Sequence, residues 1–415
     1  MASKKIREFD AKKLLVEHLP KSLAAPYRGI LVGPDTKLDT LPAEYPWLGK
    51  EKLAVKPDQL FGKRKQYNLV LLNADFSQVK KFIHQHRNKD FTIGKATDTL
   101  THFLIEPLIV HKQEYYLSIT SQRDCDTISF STAGGFNIEE RWDTVTQIQI
   151  PVLGKIEHID LQKKLPTLSK NIISFIKQVY QLYVQFDFTY LEINPFCVDQ
   201  TGTIHLLDTV AQVDSCASFL HRVEWEHLEF PRSFGNKAYP EEEFIRRLDE
   251  ESGASLKLTI LNPHGRIWNI LSGGGASIIY LDTIVDAGLG KELANYGEYS
   301  GNPTREESYH YAKTILDLMT RQIYPKGKIL FIAGAIANFT DIKETFTGII
   351  RALREYQDQL RKNKVTIFVR RGGPNYEEGL HLIKQTGEEI RVPIQVYGPE
   401  TPMVKIVPLA LKKLK

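Results

Sequence analysis

Three times in the last third of the chain an apolar run breaks off into a glycine-rich or polar loop, and a helical pattern follows. Arg266 to Leu271 enters Ser272-Gly273-Gly274-Gly275-Ala276. Lys328 to Ala333 enters Gly334-Ala335-Ile336-Ala337-Asn338-Phe339-Thr340. Val365 to Val369 enters Arg370-Arg371-Gly372-Gly373-Pro374-Asn375. Strand, turn and helix alternating in this way predict a parallel sheet covered by helices. The helical stretches carry their own signals. Thr304 and Glu307 have capping-box spacing ahead of a helix through Thr320. Ile342, Phe346, Ile349, Ile350 and Leu353 form one inward stripe of a helix running to about Leu360. A strand over Arg391 to Tyr397 and a last helix started by Thr401-Pro402 complete the pattern.

In open sheets of this kind ligands sit beyond the carboxyl ends of the strands. Backbone N–H groups at the following helix N-termini favour anions. The loop at Gly273 and Gly274 lets main chain approach a ligand closely. Asn338 and Thr340 offer an amide and a hydroxyl, and Arg371 a planar fork suited to a carboxylate. Singly, each residue reads as turn glycine, helix cap or surface ion pair. Together, at consecutive strand ends, they predict a site for a small polyanion.

The first two thirds read differently. Short strands are expected at Leu53 to Val55, Asn68 to Asn73 and Phe103 to Val110. Pro107 suggests that the last of these is an edge or crossing strand. Glu114 to Thr120 and Thr127 to Thr132 suggest antiparallel hairpins. Ser169 to Phe186 carries Ile172, Ile176, Val179 and Tyr183 on one helical stripe. Strands at Phe188 to Ile193 and Thr203 to Leu207 flank a turn at Asp199 to Gly202, an arrangement that lets Asn194 and Asp208 face each other. Residues 228–255, with two prolines and a charged run, read as a linker. His264 falls in an expected hairpin turn.

Three features of this part suit a nucleotide. Lys56 at a strand end and the run Lys63-Arg64-Lys65 can meet phosphates. Glu106-Pro107 with Ile109 and Glu114 forms a second group. Asn194 and Asp208 supply oxygen ligands of the kind Mg²⁺ takes beside phosphates.

At 415 residues the chain is long enough for two or three domains. Net charge +4, with 54 basic residues against 50 acidic, excludes a nucleic-acid protein in the absence of a basic tail. Three cysteines without a CxxC pair argue against a disulfide framework. The N-terminal residues show no apolar h-region, and no run approaches the roughly 20 apolar residues of a membrane span. A cytoplasmic chain is the expectation.

Longer motifs carry a resemblance. Leu191-Glu192-Ile193-Asn194-Pro195 with Leu207-Asp208 resembles the metal-holding pair of the succinyl-CoA synthetase β subunit, an ATP-grasp protein. Val55 to Leu60, Ser252 to Leu258, Glu292 to Gly301, Ala337 to Thr340 and Phe368 to Tyr376 are similar to the N-terminal part of the ATP-citrate lyase family, over nearly the whole chain. The resemblance implies an α/β chain. An ATP-grasp fold of two subdomains (18–109, and 1–17 with 110–235) would precede a flavodoxin-like parallel CoA-ligase domain at 236–415. It implies ATP and Mg²⁺ as cofactors. Lys56, Lys63, Arg64 and Lys65 would contact ATP phosphates, Pro107 and Ile109 would border the adenine, and Glu114 would hold the ribose. Asn194 and Asp208 would carry Mg²⁺. Citrate would lie against Gly273, Gly274, Ser300, Gly301, Asn338, Phe339, Thr340 and Arg371.

None of the 12 histidines has the small glycine- and alanine-rich neighbours of the superfamily's phosphorylated histidine. The resemblance therefore implies a β-type subunit. An α subunit would carry that histidine, the CoA site and the cleavage module, in a hetero-oligomer with a tetrameric core. A citryl-CoA or succinyl-CoA synthetase subunit, and a non-catalytic citrate or nucleotide sensor, remain as alternatives. Neither nucleic acid nor membrane is an expected partner.

Overall fold

The computed structural model describes residues 3–135, 138–236 and 239–414. The chain divides into two compact units, residues 1–237 and 238–415.

In the first unit a seven-stranded antiparallel sheet is ordered Ser3–Ile6, Thr209–Asp214, Phe188–Val198, Glu114–Ser121, Cys125–Ser131 and Thr146–Pro151, with Ile204–Leu206 hairpinned onto Phe188–Val198. The helix Lys170–Gln185 covers it. Ser169 caps that helix, and Ile172, Phe175, Ile176, Val179 and Tyr183 are buried at helical spacing. The helix Glu8–His18 buries Ala11, Leu14 and Leu15 in the same core.

A second antiparallel sheet has the order Ile30–Val32, Phe103–Pro107, Leu53–Pro57, Leu71–Ala74. The helix Phe76–His86 packs Val79, Phe82 and Ile83 into the core that this sheet shares. The edge position expected for the proline-bearing strand is corrected here: Phe103–Pro107 is internal, paired on both sides. The proline is tolerated because it is the last residue of the strand, opposite Leu53, where the ladder ends.

The second unit holds a six-stranded sheet, ordered Ser255–Ile260, Asn295–Ser300, Ile267–Ser272, Lys328–Ile336, Val365–Gly372, Ile394–Tyr397. The last five are mutually parallel. Numbered along the chain they stand 2-1-3-4-5, the flavodoxin-like order. Two features differ from expectation. Ser255–Ile260 adds an antiparallel edge strand beside Asn295–Ser300. The segment around His264 is therefore not a hairpin turn, because its flanking strands are not neighbours.

Both faces of this sheet are buried. Trp268, Ile270, Leu330, Ile332, Ile367 and Val369 face one core, shared with the helices Arg305–Thr320, Ile342–Glu355 and Tyr376–Ile390. Ile267, Leu271, Ile329, Phe331 and Phe368 face the other, with Gly274–Ile284 and Ile406–Leu411. Apolar residues on both sides of each strand are what a doubly covered parallel sheet requires. The linker reading of 228–255 is corrected over Pro240–Glu251, which is a helix with Pro240 in its first turn and Glu241, Glu242 and Glu243 at its positive end. Residues 237 and 238 of that segment lie outside the described residues.

Candidate functional site

In the first unit one cavity of about 750 Å³ is lined by Lys56, Lys63, Arg64, Lys65, Pro107, Ile109, Glu114, Asn194 and Asp208, all nine of the nucleotide and metal candidates. The two sheets deliver them. Lys56 comes from the strand Leu53–Pro57 and Pro107 from its neighbour Phe103–Pro107. Glu114 opens the strand Glu114–Ser121, and Asn194 lies in Phe188–Val198. Lys63 and Asn68, both in left-handed conformation, bracket the short turn of helix Arg64–Tyr67 that presents the basic run.

Asn194 and Asp208 sit opposite each other: the Asn194 N–H donates to the Asp208 carbonyl at 2.9 Å. The Asn194 side-chain oxygen accepts the Gly135 N–H at 2.7 Å, and its amide donates to Glu192 at 3.3 Å. His111 Nε2 lies 3.1 Å from the Glu114 carboxylate.

Two residues that the sequence did not single out lie buried behind the lining residues Lys56 and Arg64. Glu8 and Lys12 stand on the first helix, both buried. Glu8 lies 2.7 Å from Lys12 Nζ, 2.7 Å from Lys56 Nζ and 2.7 Å from Arg64 Nη1. Lys12 also donates to both oxygens of Glu106 and to the Leu207 carbonyl, each at 2.9 Å. Burial pushes the Glu8 carboxyl up. The opposing charges of Lys12, Lys56 and Arg64 outweigh it and hold the group well below the usual carboxylate range. The available signal was position: Glu8, Ala11, Lys12 and Leu15 share one helical stripe, so two charges occupy an inward face.

The donor set fits magnesium. Mg²⁺ takes oxygen ligands and keeps several positions for water and phosphate, so the Asn194 amide oxygen, on a strand, and the Asp208 carboxylate, in the turn between Ile204–Leu206 and Thr209–Asp214, are sufficient from the protein. Among the described residues no group of three or more His, Cys, Asp or Glu offers a self-sufficient metal cage.

In the second unit the citrate candidates gather at the carboxyl ends of the parallel strands. Strands 1 and 3 of the 2-1-3-4-5 order, Ile267–Ser272 and Lys328–Ile336, adjoin with their chains leaving to opposite faces, the usual place for a ligand. Gly273, at φ 85°, caps the helix Gly274–Ile284 and donates its N–H to the Tyr299 carbonyl at 3.0 Å. Ser300 ends its strand and Gly301 follows at φ 75°. The next residue, Asn302, accepts the Asp341 N–H at 2.9 Å and so ties this turn to the loop of Asn338, Phe339 and Thr340. Asn338 and Phe339 are exposed, whereas Thr340 is buried. The helix after that loop begins at Ile342, and its cap is Asp341, which accepts the Glu344 N–H; neither Asn338 nor Thr340 caps it.

Arg371 is 1% exposed. Its Nη1 donates to the Ala335 carbonyl at 2.8 Å, while Nε and Nη2 are buried with no hydrogen-bond partner among the described residues. Burial holds its pKa below the ordinary arginine value.

Two family models match the chain: the ATP-citrate synthase ATP-grasp domain over residues 2–225, and the ATP citrate lyase citrate-binding domain over residues 236–413. The chain belongs to the ATP-citrate synthase family. The expected ATP-grasp unit followed by an α/β unit is borne out. ATP-citrate synthase alpha chain protein 1 of Arabidopsis thaliana is 44% identical over 418 residues, 99% of each chain. ATP-citrate synthase of Homo sapiens is 45% identical over 420 residues, and this chain spans 38% of its length. A solved ATP citrate lyase of Methanothrix soehngenii, in complex with citrate and coenzyme A, superposes with a TM-score of 0.90. It is 48% identical and covered over its whole chain, with 99% of this one. The plant relatives of matching length are named alpha chains, so the β label that the resemblance implied does not follow the naming used for them. Among the described residues no helix is long and apolar enough to cross a membrane.

Proposed function

We propose that this chain is the ATP- and citrate-handling part of a cytoplasmic ATP-citrate lyase, acting with a second polypeptide. The reaction would be ATP + citrate + CoA giving acetyl-CoA, oxaloacetate, ADP and phosphate. The observation that carries the reading is the single cavity lined by all nine residues expected at nucleotide and metal.

In this reading the segments 18–109, and 1–17 with 110–235, form the two ATP-grasp subdomains, and residues from 236 onward bind citrate. Lys56, Lys63, Arg64 and Lys65 spread the charge of the ATP phosphates. Pro107 and Ile109 border the base and Glu114 the ribose. Asn194 and Asp208 would hold Mg²⁺, which when bound neutralises phosphate charge. The γ-phosphoryl passes to a histidine of the partner and from there to a citrate carboxylate. CoA then displaces phosphate from that acyl phosphate, and the partner cleaves the citryl-CoA. Gly273, Gly274, Ser300, Gly301, Asn338, Phe339, Thr340 and Arg371 orient citrate. This chain contributes position and electrostatics rather than a covalent group.

The test is to co-purify the chain with the product of a neighbouring gene and measure oxaloacetate release. Release that requires ATP, citrate and CoA together supports the proposal. Citryl-CoA accumulating without oxaloacetate would reassign the chain to a synthetase. ATP and citrate binding with no phosphorylated partner would reassign it to a sensor.

A further inference from the structure

Two carboxylates, Asp208 lining the nucleotide cavity and Glu8 buried behind it, share the same two cations, and they share them unequally. Lys56 Nζ is 2.7 Å from Glu8 but 3.5 Å from Asp208. Arg64 Nη1 is 2.7 Å from Glu8 but 3.2 Å from Asp208. Glu8 is 1% exposed at its side chain, whereas Asp208 is 41% exposed. The short contacts therefore run through protein, where charges attract strongly. The longer ones run beside water, where they are screened.

We infer that Glu8 is a positioning residue: by holding Lys56 and Arg64 it keeps them from neutralising Asp208, which stays available to a divalent cation while both basic groups still face the phosphates. The inference rests on the nucleotide reading of this cavity and deepens it. Lys12 completes the arrangement. It joins Lys56 on the Leu207 carbonyl, each at 2.9 Å, so two lysines fix the peptide that carries Asp208. Lys12 is in turn balanced by Glu8 and Glu106. Without the charge of Glu8, Asp208 becomes the nearest anion for Lys56 and Arg64, and the metal must compete with both.

The test is Glu8→Gln, a neutral side chain of the same shape. The full chain is titrated calorimetrically with ADP, with and without Mg²⁺. In the unmodified chain Mg²⁺ is expected to tighten ADP by about tenfold. In Glu8→Gln the metal-free affinity should be equal or higher, and the Mg²⁺ enhancement should fall to about twofold or less. A merely structural role would weaken ADP with and without metal in parallel and leave the enhancement unchanged; that result overturns the inference. Should Glu8→Gln not fold, Glu8→Asp keeps the charge but withdraws it by one methylene. It should give an intermediate enhancement, and an unmodified enhancement overturns the inference. Failure of the unmodified chain to bind ADP at all would remove the nucleotide reading. ADP binding indifferent to Mg²⁺ would remove the metal pair instead. Either result takes the role of Glu8 with it.

Discussion

Asp58 caps a helix to which it is not adjacent in sequence: its Oδ1 accepts the Glu8 N–H at 2.9 Å, and its Oδ2 accepts the next N–H, of Phe9, at 3.0 Å. The residue in the local cap position, Arg7, makes no side-chain cap bond. It donates instead to the Asp58 carbonyl at 3.1 Å. The strand that carries Lys56 thus fixes the helix that carries Glu8 and Lys12. Asp58→Ala would leave the buried Glu8 N–H and the part-buried Phe9 N–H without their acceptors. It should cost about 2–3 kcal/mol in urea unfolding, and Asp58→Asn, which keeps one acceptor, about half of that.

Asp10, two residues further along the same helix, gives the chain a pH dependence of known sign. Burial, then the neighbouring charge of Asp58, raises its carboxyl from the usual range to about 7. A folded pKa above the unfolded one means that folding favours the proton. The stability that this proton supports is complete below about pH 4 and is lost as pH rises toward 7. Asp10→Asn should remove that loss. At pH 8 its melting temperature should exceed that of the unmodified chain, by a margin equivalent to about 1–2 kcal/mol after allowing for solvent screening. At pH 4 the two should coincide. A constant difference across that range would exclude Asp10 as the cause.

Local signals in the sequence were legible where the physics is local. Thr304 and Glu307 form the reciprocal cap that their spacing implies, and Ser169 caps the long helix of the first unit. Asn194 and Asp208 face each other because a short hairpin returns the chain beside itself. Glu8 and Lys12 are not legible locally because, beyond each other, their partners are 48 to 195 positions away. A charged pair four residues apart on a helix ordinarily signals a solvated face. The helix Pro240–Glu251 was hidden for a related reason: it buries only Ile245 fully, so charge masks its periodicity. The insertion of Asn295–Ser300 between Ser255–Ile260 and Ile267–Ser272 is a matter of tertiary pairing, on which no local residue reports.

Gly334 leaves no room for a side chain beside Arg371. A Cβ built there would stand 2.6 Å from Arg371 Nη1 and 2.7 Å from the Ser272 carbonyl oxygen. The carbonyl belongs to a paired strand and cannot retreat cheaply. Gly334→Ala should therefore destabilise the chain by about 1–3 kcal/mol, read as a lowered melting temperature. It should also displace Arg371 and weaken citrate in calorimetry, while ADP binding in the first unit is unchanged.

Arg371 itself separates stability from binding. A buried guanidinium with one carbonyl acceptor and two bare nitrogens is a poor contributor to folding, since its desolvation is uncompensated. The same two nitrogens suit an arriving carboxylate, which can take them bidentately. Arg371→Met, apolar and of comparable length, should thus leave the melting temperature equal or higher. It should weaken citrate by about 30-fold or more, the loss of roughly 2 kcal/mol of charge-assisted hydrogen bonding. Arg371→Lys keeps the charge without the fork and should fall between the two in citrate affinity. Citrate binding as tight in Arg371→Met as in the unmodified chain would remove this residue from the tricarboxylate site.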